Sequence, residues 1–143
     1  MLTVSRITHI AIKVKDIEAT LRFYVGQLGF QEMFRLDRDG KLWIIYLRLT
    51  DTQYLEIFPG EDRERAPGPE KTGYNHMCLE VPDINAAAGE LEAAGVVLTK
   101  PVVEGVDGNR QAWIEDPDGH RIELMEMSRN SLQAAAIARH QGE

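Results

Sequence analysis

The chain has 143 residues, a net charge of −7, a hydrophobic fraction of 43% and a charged fraction of 27%. That is the make-up of one water-soluble globular domain with its own core, and without a basic run nucleic acid is not an expected partner. A single cysteine, Cys78, excludes an intrachain disulfide framework, and no apolar run is long enough to span a bilayer.

In chain order, residues 1–6 lack the charged and apolar regions of a signal peptide, which makes a cytoplasmic protein the expectation. Residues 7–14 alternate β-branched positions and predict a strand. Asp16 is suited to N-cap a helix over residues 17–28, where Ile17, Thr20, Leu21, Tyr24 and Leu28 recur at helical spacing and Gly29 closes the end. Strands are predicted over 30–36, over 42–50 after the Asp39-Gly40 turn, and over 53–58. Residues 59–72 carry three prolines and two glycines among charged residues and read as a solvated linker. The order then repeats. A strand is predicted over 73–81, a helix from Pro82-Asp83 to about Gly95, and strands over 96–99, 109–115 and 120–127. The last two are joined by the Asp116-Pro117-Asp118-Gly119 turn. A short helix is expected from Ser131 onward in the tail, 128–143.

The expected fold is therefore α+β: two tandem βαβββ modules, at about 5–58 and 73–127, forming a curved mixed sheet. The register of the repeat carries the chemistry. His9 and Glu56 lie 47 residues apart, His76 and Glu123 also lie 47 apart, and a shift of 67 maps one pair on the other. The same shift relates Asp16 to Asp83, Leu28 to Gly95 and Tyr46 to Trp113. Identity between the halves is low, so spacing rather than residue type reveals the duplication. Two imidazoles and two carboxylates converging on one centre suit a divalent ion, with Ni, Co and Zn favoured and Fe or Mn as further choices.

Side chains on a strand alternate faces. With Ile10, Ile12 and Val14 toward the helices, His9, Ala11 and Lys13 fall on the other face. The same reasoning puts Tyr54, Glu56 and Phe58, His76 and Cys78, and Arg121 and Glu123 there. Ile44, Tyr46 and Arg48 join them from the third strand, and Gln111, Trp113 and Glu115 are their counterparts at the 67-residue shift. This face is expected to hold the metal, aromatic walls and a few polar groups, the profile of a small-molecule pocket. A lone strand His or Glu is usually structural or solvated; four sharing order, face and offset are not. His120 and His140 lack that support and are expected to be exposed. Cys78 is expected to line the pocket rather than act as a nucleophile, Phe23 and Tyr24 to be core, and residues 105–109 to form an ordinary surface loop.

The chain resembles the vicinal oxygen chelate superfamily, and within it glyoxalase I (lactoylglutathione lyase) of the short bacterial type. The markers are the His9-Ile-Ala-Ile strand, Phe23-Tyr24 followed by Leu28-Gly29-Phe30, Leu55-Glu56, Asn75-His76, and Glu115-Asp116-Pro117-Asp118-Gly119 leading to Ile122-Glu123-Leu124. The resemblance implies a lyase or isomerase that chelates an α-hydroxy carbonyl, such as a hemithioacetal, on a divalent metal held by His9, Glu56, His76 and Glu123. Proton transfer would pass through a metal-bound enediolate, with Glu123 as base and Glu56 as its pseudo-symmetric counterpart. It also implies nickel or cobalt rather than zinc, and a homodimer. The glutathione-holding positions of bacterial glyoxalase I fall on Lys13, which keeps the charge, and on Gly60, which brings no amide. Lys13, Tyr46, Arg48, Tyr54, Phe58, Gln111, Trp113 and Arg121 are the expected substrate contacts. Related epimerases acting on cyclic polyol ketones or acyl-CoA, and non-catalytic small-molecule-binding members, are the alternatives.

Overall fold

The structure is a computed structural model that describes residues 2–61 and 64–141. Asp62 and Arg63, in the charged run of the expected linker, lie outside the described residues, as do Met1, Gly142 and Glu143. The chain divides into two compact units, Met1–Glu64 and Arg65–Glu143.

The first unit runs β1 (His9–Val14), α1 (Ile17–Leu21, continued as a π-helical stretch, Arg22–Gln27), β2 (Gln31–Arg38), β3 (Lys41–Arg48) and β4 (Tyr54–Pro59). The second runs β5 (Met77–Glu80), α2 (Ile84–Ala93), β6 (Lys100–Glu104), β7 (Arg110–Glu115), β8 (Arg121–Glu126) and α3 (Leu132–Gln141). Each unit forms one four-stranded mixed sheet, ordered β1-β4-β3-β2 and β5-β8-β7-β6. In each, the first strand pairs parallel with the last, and the remaining neighbours are antiparallel. This is the duplicated βαβββ order. None of the helices described is long and apolar enough to cross a membrane.

The sheet ladders keep the 67-residue offset rung by rung. Ala11 and Tyr46 flank Glu56 on the neighbouring strands, and Cys78 and Trp113 flank Glu123. Leu47 faces Leu55, and Ile114 faces Ile122. Alternation does the rest. Ile12, Val14, Ile45, Leu47, Leu55 and Ile57 are buried in the first unit, and Met77, Ala112, Ile114, Ile122 and Leu124 in the second. Phe23 and Tyr24 are core, as expected, with their rings edge to face at 5.0 Å.

Both helices begin as expected. Asp16 accepts from the Ala19 amide at 3.0 Å, and Asp83 accepts from Asn85 and Ala86 at 2.9 and 3.0 Å. Gly29 and Gly95 follow the helix ends with φ of 76° each, the left-handed conformation that favours glycine at this position. The first helix departs from a regular α-helix after Leu21. Its i→i+5 winding, which carries Leu28 N–H to the Phe23 carbonyl at 2.9 Å, has no signature in apolar spacing over so short a stretch.

Three expectations are corrected. The strand predicted over 96–99 is instead β6, Lys100–Glu104, and it contains Pro101. Proline is tolerated there because β6 is an edge strand whose pairing with β7 shifts register between Lys100 and Val103. Val96 is buried as the helix-closing residue, its amide bonded to the Leu91 carbonyl at 2.8 Å. The strand predicted from residue 73 begins only at Met77, which leaves His76 just outside the ladder. His120 is not exposed: its side chain is 14% accessible, and Nδ1 lies 2.8 Å from the buried Asp116 carboxylate, which organises the turn. The 105–109 loop is pinned, with only Val106 fully exposed. Asn109 is 1% accessible, donating to Asp107 and Gln133 and accepting from the Ser128 amide. Arg65, at the end of the expected linker, donates to Glu115 at 2.5 Å, so this part of the segment is docked on its own unit.

Candidate metal-binding pairs

Each unit brings one His beside one Glu. In the first unit, His9 Nε2 lies 3.5 Å from Glu56 Oε2, with the His side chain 42% accessible and the Glu 9%. In the second, His76 Nε2 lies 3.1 Å from Glu123 Oε2, with accessibilities of 30% and 16%. Among the described residues no three or more His, Cys, Asp or Glu side chains are gathered to hold a metal ion, so the predicted quartet is seen as two pairs. Two ligand atoms about 2.1 Å from a shared ion at neighbouring positions stand roughly 3.0–3.4 Å apart. The 3.1 Å of His76–Glu123 falls inside that range and the 3.5 Å of His9–Glu56 just outside it, and nitrogen with carboxylate oxygen is a donor set for a first-row divalent ion.

The two carboxylates have different companions. Tyr46 donates its hydroxyl to Glu56, and this bond, with burial and the carboxylate charge, raises the phenol's pKa. The ring of Tyr46 is stacked on Phe34 at 4.3 Å. At the corresponding rung Trp113 has no hydroxyl to give. Its Nε1 donates to Gln111 Oε1 at 2.6 Å, and its ring meets His76 at 4.7 Å. Glu123 receives the Cys78 thiol, the weaker donor, where the first unit has Ala11.

Burial of the sulfur, followed by the charge of Glu123 and the bond to it, pushes the Cys78 thiol up to about 12. The thiol is therefore neutral at ordinary pH, although the residue is exposed. Alkylation of Cys78 by iodoacetamide at pH 8 should accordingly be far slower than that of a free thiol of ordinary pKa. A rate equal to that of glutathione, followed by mass spectrometry, would contradict the assignment.

The other expected site residues are placed as follows. Lys13 is exposed on β1, and the Gly60 amide is bonded to the Val14 carbonyl at 2.8 Å. Arg48 is ion-paired with Asp51 and donates to Gln31 at 3.3 Å. It borders a cavity of about 230 Å³ lined by Gly29, Phe30, Leu49 and Thr50, whose walls include neither His9 nor Glu56. Tyr54 donates to the Asp51 carbonyl at 3.2 Å, and Phe58 packs edge-on to Trp43 at 6.4 Å. Arg121 donates to Asn75 and lies 5.7 Å from the Trp113 ring, while its Nε is buried with no acceptor among the described residues. Sequence reasoning missed Lys100, whose ammonium lies 5.2 Å from the Trp113 ring, and Asn75 as a partner of His76. Strand alternation carried no signal for these two: Lys100 stands just past the strand predicted over 96–99, and Asn75, inside the strand predicted over 73–81, falls by alternation on the face opposite His76.

Residues 6–124 match the family described as the Glyoxalase/Bleomycin resistance protein/Dioxygenase superfamily. The chain belongs to that superfamily. It is 30% identical over 144 residues to a lactoylglutathione lyase of Pseudomonas putida, a match covering 82% of this chain and 83% of that one. It is 34% identical over 130 residues to the uncharacterized protein YaeR of Escherichia coli, covering 88% and 99% of the two chains. Among solved structures, the glyoxalase family protein from Enterococcus faecalis superimposes with a TM-score of 0.75 at 32% identity, covering 85% of this chain and 98% of that one. The superfamily's fold is the duplicated βαβββ arrangement described above, and relatives of similar identity include both a named lyase and an uncharacterized protein.

Proposed function

We propose that this protein is a divalent-metal-dependent lyase or isomerase of the glyoxalase I type, acting on an α-hydroxy carbonyl such as a hemithioacetal. The observation that carries the reading is the recurrence of one His–Glu pair at the same 47-residue spacing in both units, at separations of 3.5 and 3.1 Å. His9, Glu56, His76 and Glu123 would hold the ion. When bound, such an ion supplies Lewis-acid stabilisation of negative charge developing on substrate oxygens.

The chain's own residues divide the remaining work. Glu123 is the base that takes the proton from the carbon between the two oxygens and returns it to the neighbouring carbon. A thiol is a weaker hydrogen-bond donor than a phenol, so Cys78 competes less for the Glu123 carboxylate than Tyr46 does for Glu56. Glu123 is also the more accessible of the two carboxylates. Glu56, buried and bonded to Tyr46, is the anchored counterpart. Trp113 offers an aromatic wall, and the unpaired Arg121 Nε–H offers a donor to a substrate oxygen, because a buried donor left unsatisfied is costly. Lys13 offers a cation for an acidic substrate group. The similarity to a relative named lactoylglutathione lyase supports the hemithioacetal as first choice of substrate.

The direct test is turnover by metal-stripped protein reconstituted with nickel, cobalt or zinc. The methylglyoxal–glutathione hemithioacetal should be set against cyclic polyol ketones. Metal-dependent conversion of the hemithioacetal is the expected result. Conversion of the polyol ketone alone would move the protein to the epimerases, and a metal-free protein that binds ligands without turnover would overturn the reading.

A further inference from the structure

His76 stands one residue before β5, so the sheet ladder does not hold its ring. A chain of side chains does. His76 Nδ1 lies 2.7 Å from Asn75 Oδ1, while Nε2 faces Glu123 Oε2 at 3.1 Å. Arg121, two residues before Glu123 on β8, reaches back to Asn75. Its guanidinium donates to the Asn75 backbone carbonyl at 2.9 Å and also to Asn75 Oδ1.

The order of these contacts decides where a hydrogen sits. A guanidinium has only donors, so the amide atom it faces must be the oxygen and not the nitrogen. The Asn75 amide nitrogen turns away, 3.5 Å from the Pro69 carbonyl. An amide oxygen only accepts, so the nitrogen of His76 that faces it must carry the hydrogen. The Glu123 carboxylate also only accepts, so an ion seated between Nε2 and Glu123 would take the place of a hydrogen there; with Nδ1–H held by Asn75, Nε2 is the nitrogen left to ligate the cation.

We infer that Asn75 and Arg121 are positioning residues that lock His76 as the Nδ1–H tautomer, with Nε2 open for the metal. This rests on the metal reading proposed above. The device is confined to one half of the repeat. At the 67-residue offset Asn75 corresponds to Thr8 and Arg121 to Tyr54, whose hydroxyl is engaged by the Asp51 carbonyl. The two pairs are therefore inequivalent: His76–Glu123 is preorganised, and His9–Glu56 lacks this support. Preorganisation lowers the ordering cost of binding, so the second pair dominates metal affinity.

Nickel titration by calorimetry tests this on the whole protein, alongside ¹⁵N spectra of the His76 ring in the zinc-loaded form. Asn75→Ala and Arg121→Ala should each weaken nickel binding by about 10–100-fold. Thr8→Ala, the matched change in the first unit, should alter it by less than about threefold. Asn75→Asp, which keeps an oxygen between His76 and Arg121, should recover most of the loss. That recovery separates positioning from a general structural defect. The ring spectra should show the hydrogen on Nδ1. Unchanged affinity in Asn75→Ala, no recovery in Asn75→Asp, or a hydrogen on Nε2 would each overturn the inference while leaving the metal reading intact. Failure of the unmodified protein to bind nickel would instead overturn the metal reading, and this inference with it.

Discussion

Glu123→Gln should lower turnover of the nickel-loaded protein by roughly 10²–10⁴-fold, the usual contribution of a positioned general base. The substitution keeps the side chain's shape and one oxygen but removes the group that accepts the proton. Glu56→Gln should act differently. Glu56 is buried, it accepts the Tyr46 hydroxyl, and its role is to anchor. Its replacement should weaken metal retention and lower turnover mainly in proportion to the metal lost. Metal content measured beside kcat for both variants separates the two roles. Near-normal kcat in Glu123→Gln at full metal occupancy would remove Glu123 from the chemistry.

The second large effect concerns the imidazoles. Nickel at about one hundred times its Kd should stabilise the folded protein by roughly 2.7 kcal/mol, because it binds the folded chain and not the unfolded one. For a chain of this size that is a rise in Tm of about 5–10 °C. His9→Ala and His76→Ala should each abolish most of this rise, with His76→Ala the more severe. Removing either ring would leave the ion a carboxylate from that pair and no nitrogen ligand. Thermal melts with and without nickel provide the measurement, and chelator should return the unmodified protein to its metal-free Tm. A nickel-dependent shift that survives both substitutions would mean that the ion binds elsewhere.

Both predictions draw on residues that the sequence singles out by spacing alone. A strand has a side-chain period of two, and a duplicated module repeats at a constant offset. Residue types alone therefore gave the strand positions of His9, Glu56 and Glu123 and the constant offset that relates them to His76, which stands just before β5. The ladders keep that register at Glu56 with Tyr46 and at Glu123 with Trp113. Helix starts at Asp16 and Asp83 and stops at Gly29 and Gly95 were equally local, because a cap is a bond between near neighbours in the chain.

What sequence could not supply was any contact set by packing at a distance. The π-helical winding of Arg22–Gln27 and the acceptance of Pro101 in β6 depend on what lies beside those segments. The burial of His120 against Asp116 follows from how the turn folds over itself. Arg48, Tyr54 and Gln111 were placed on the right strands, yet their polar ends are engaged by Asp51, the Asp51 carbonyl and Trp113. The tautomer of His76 depends on Arg121, 45 residues further along the chain. Periodicity and spacing determined which residues share a face, because those properties belong to the strand itself. Only the tertiary structure decided which hydrogen-bonding groups meet, because that depends on the strand next to it.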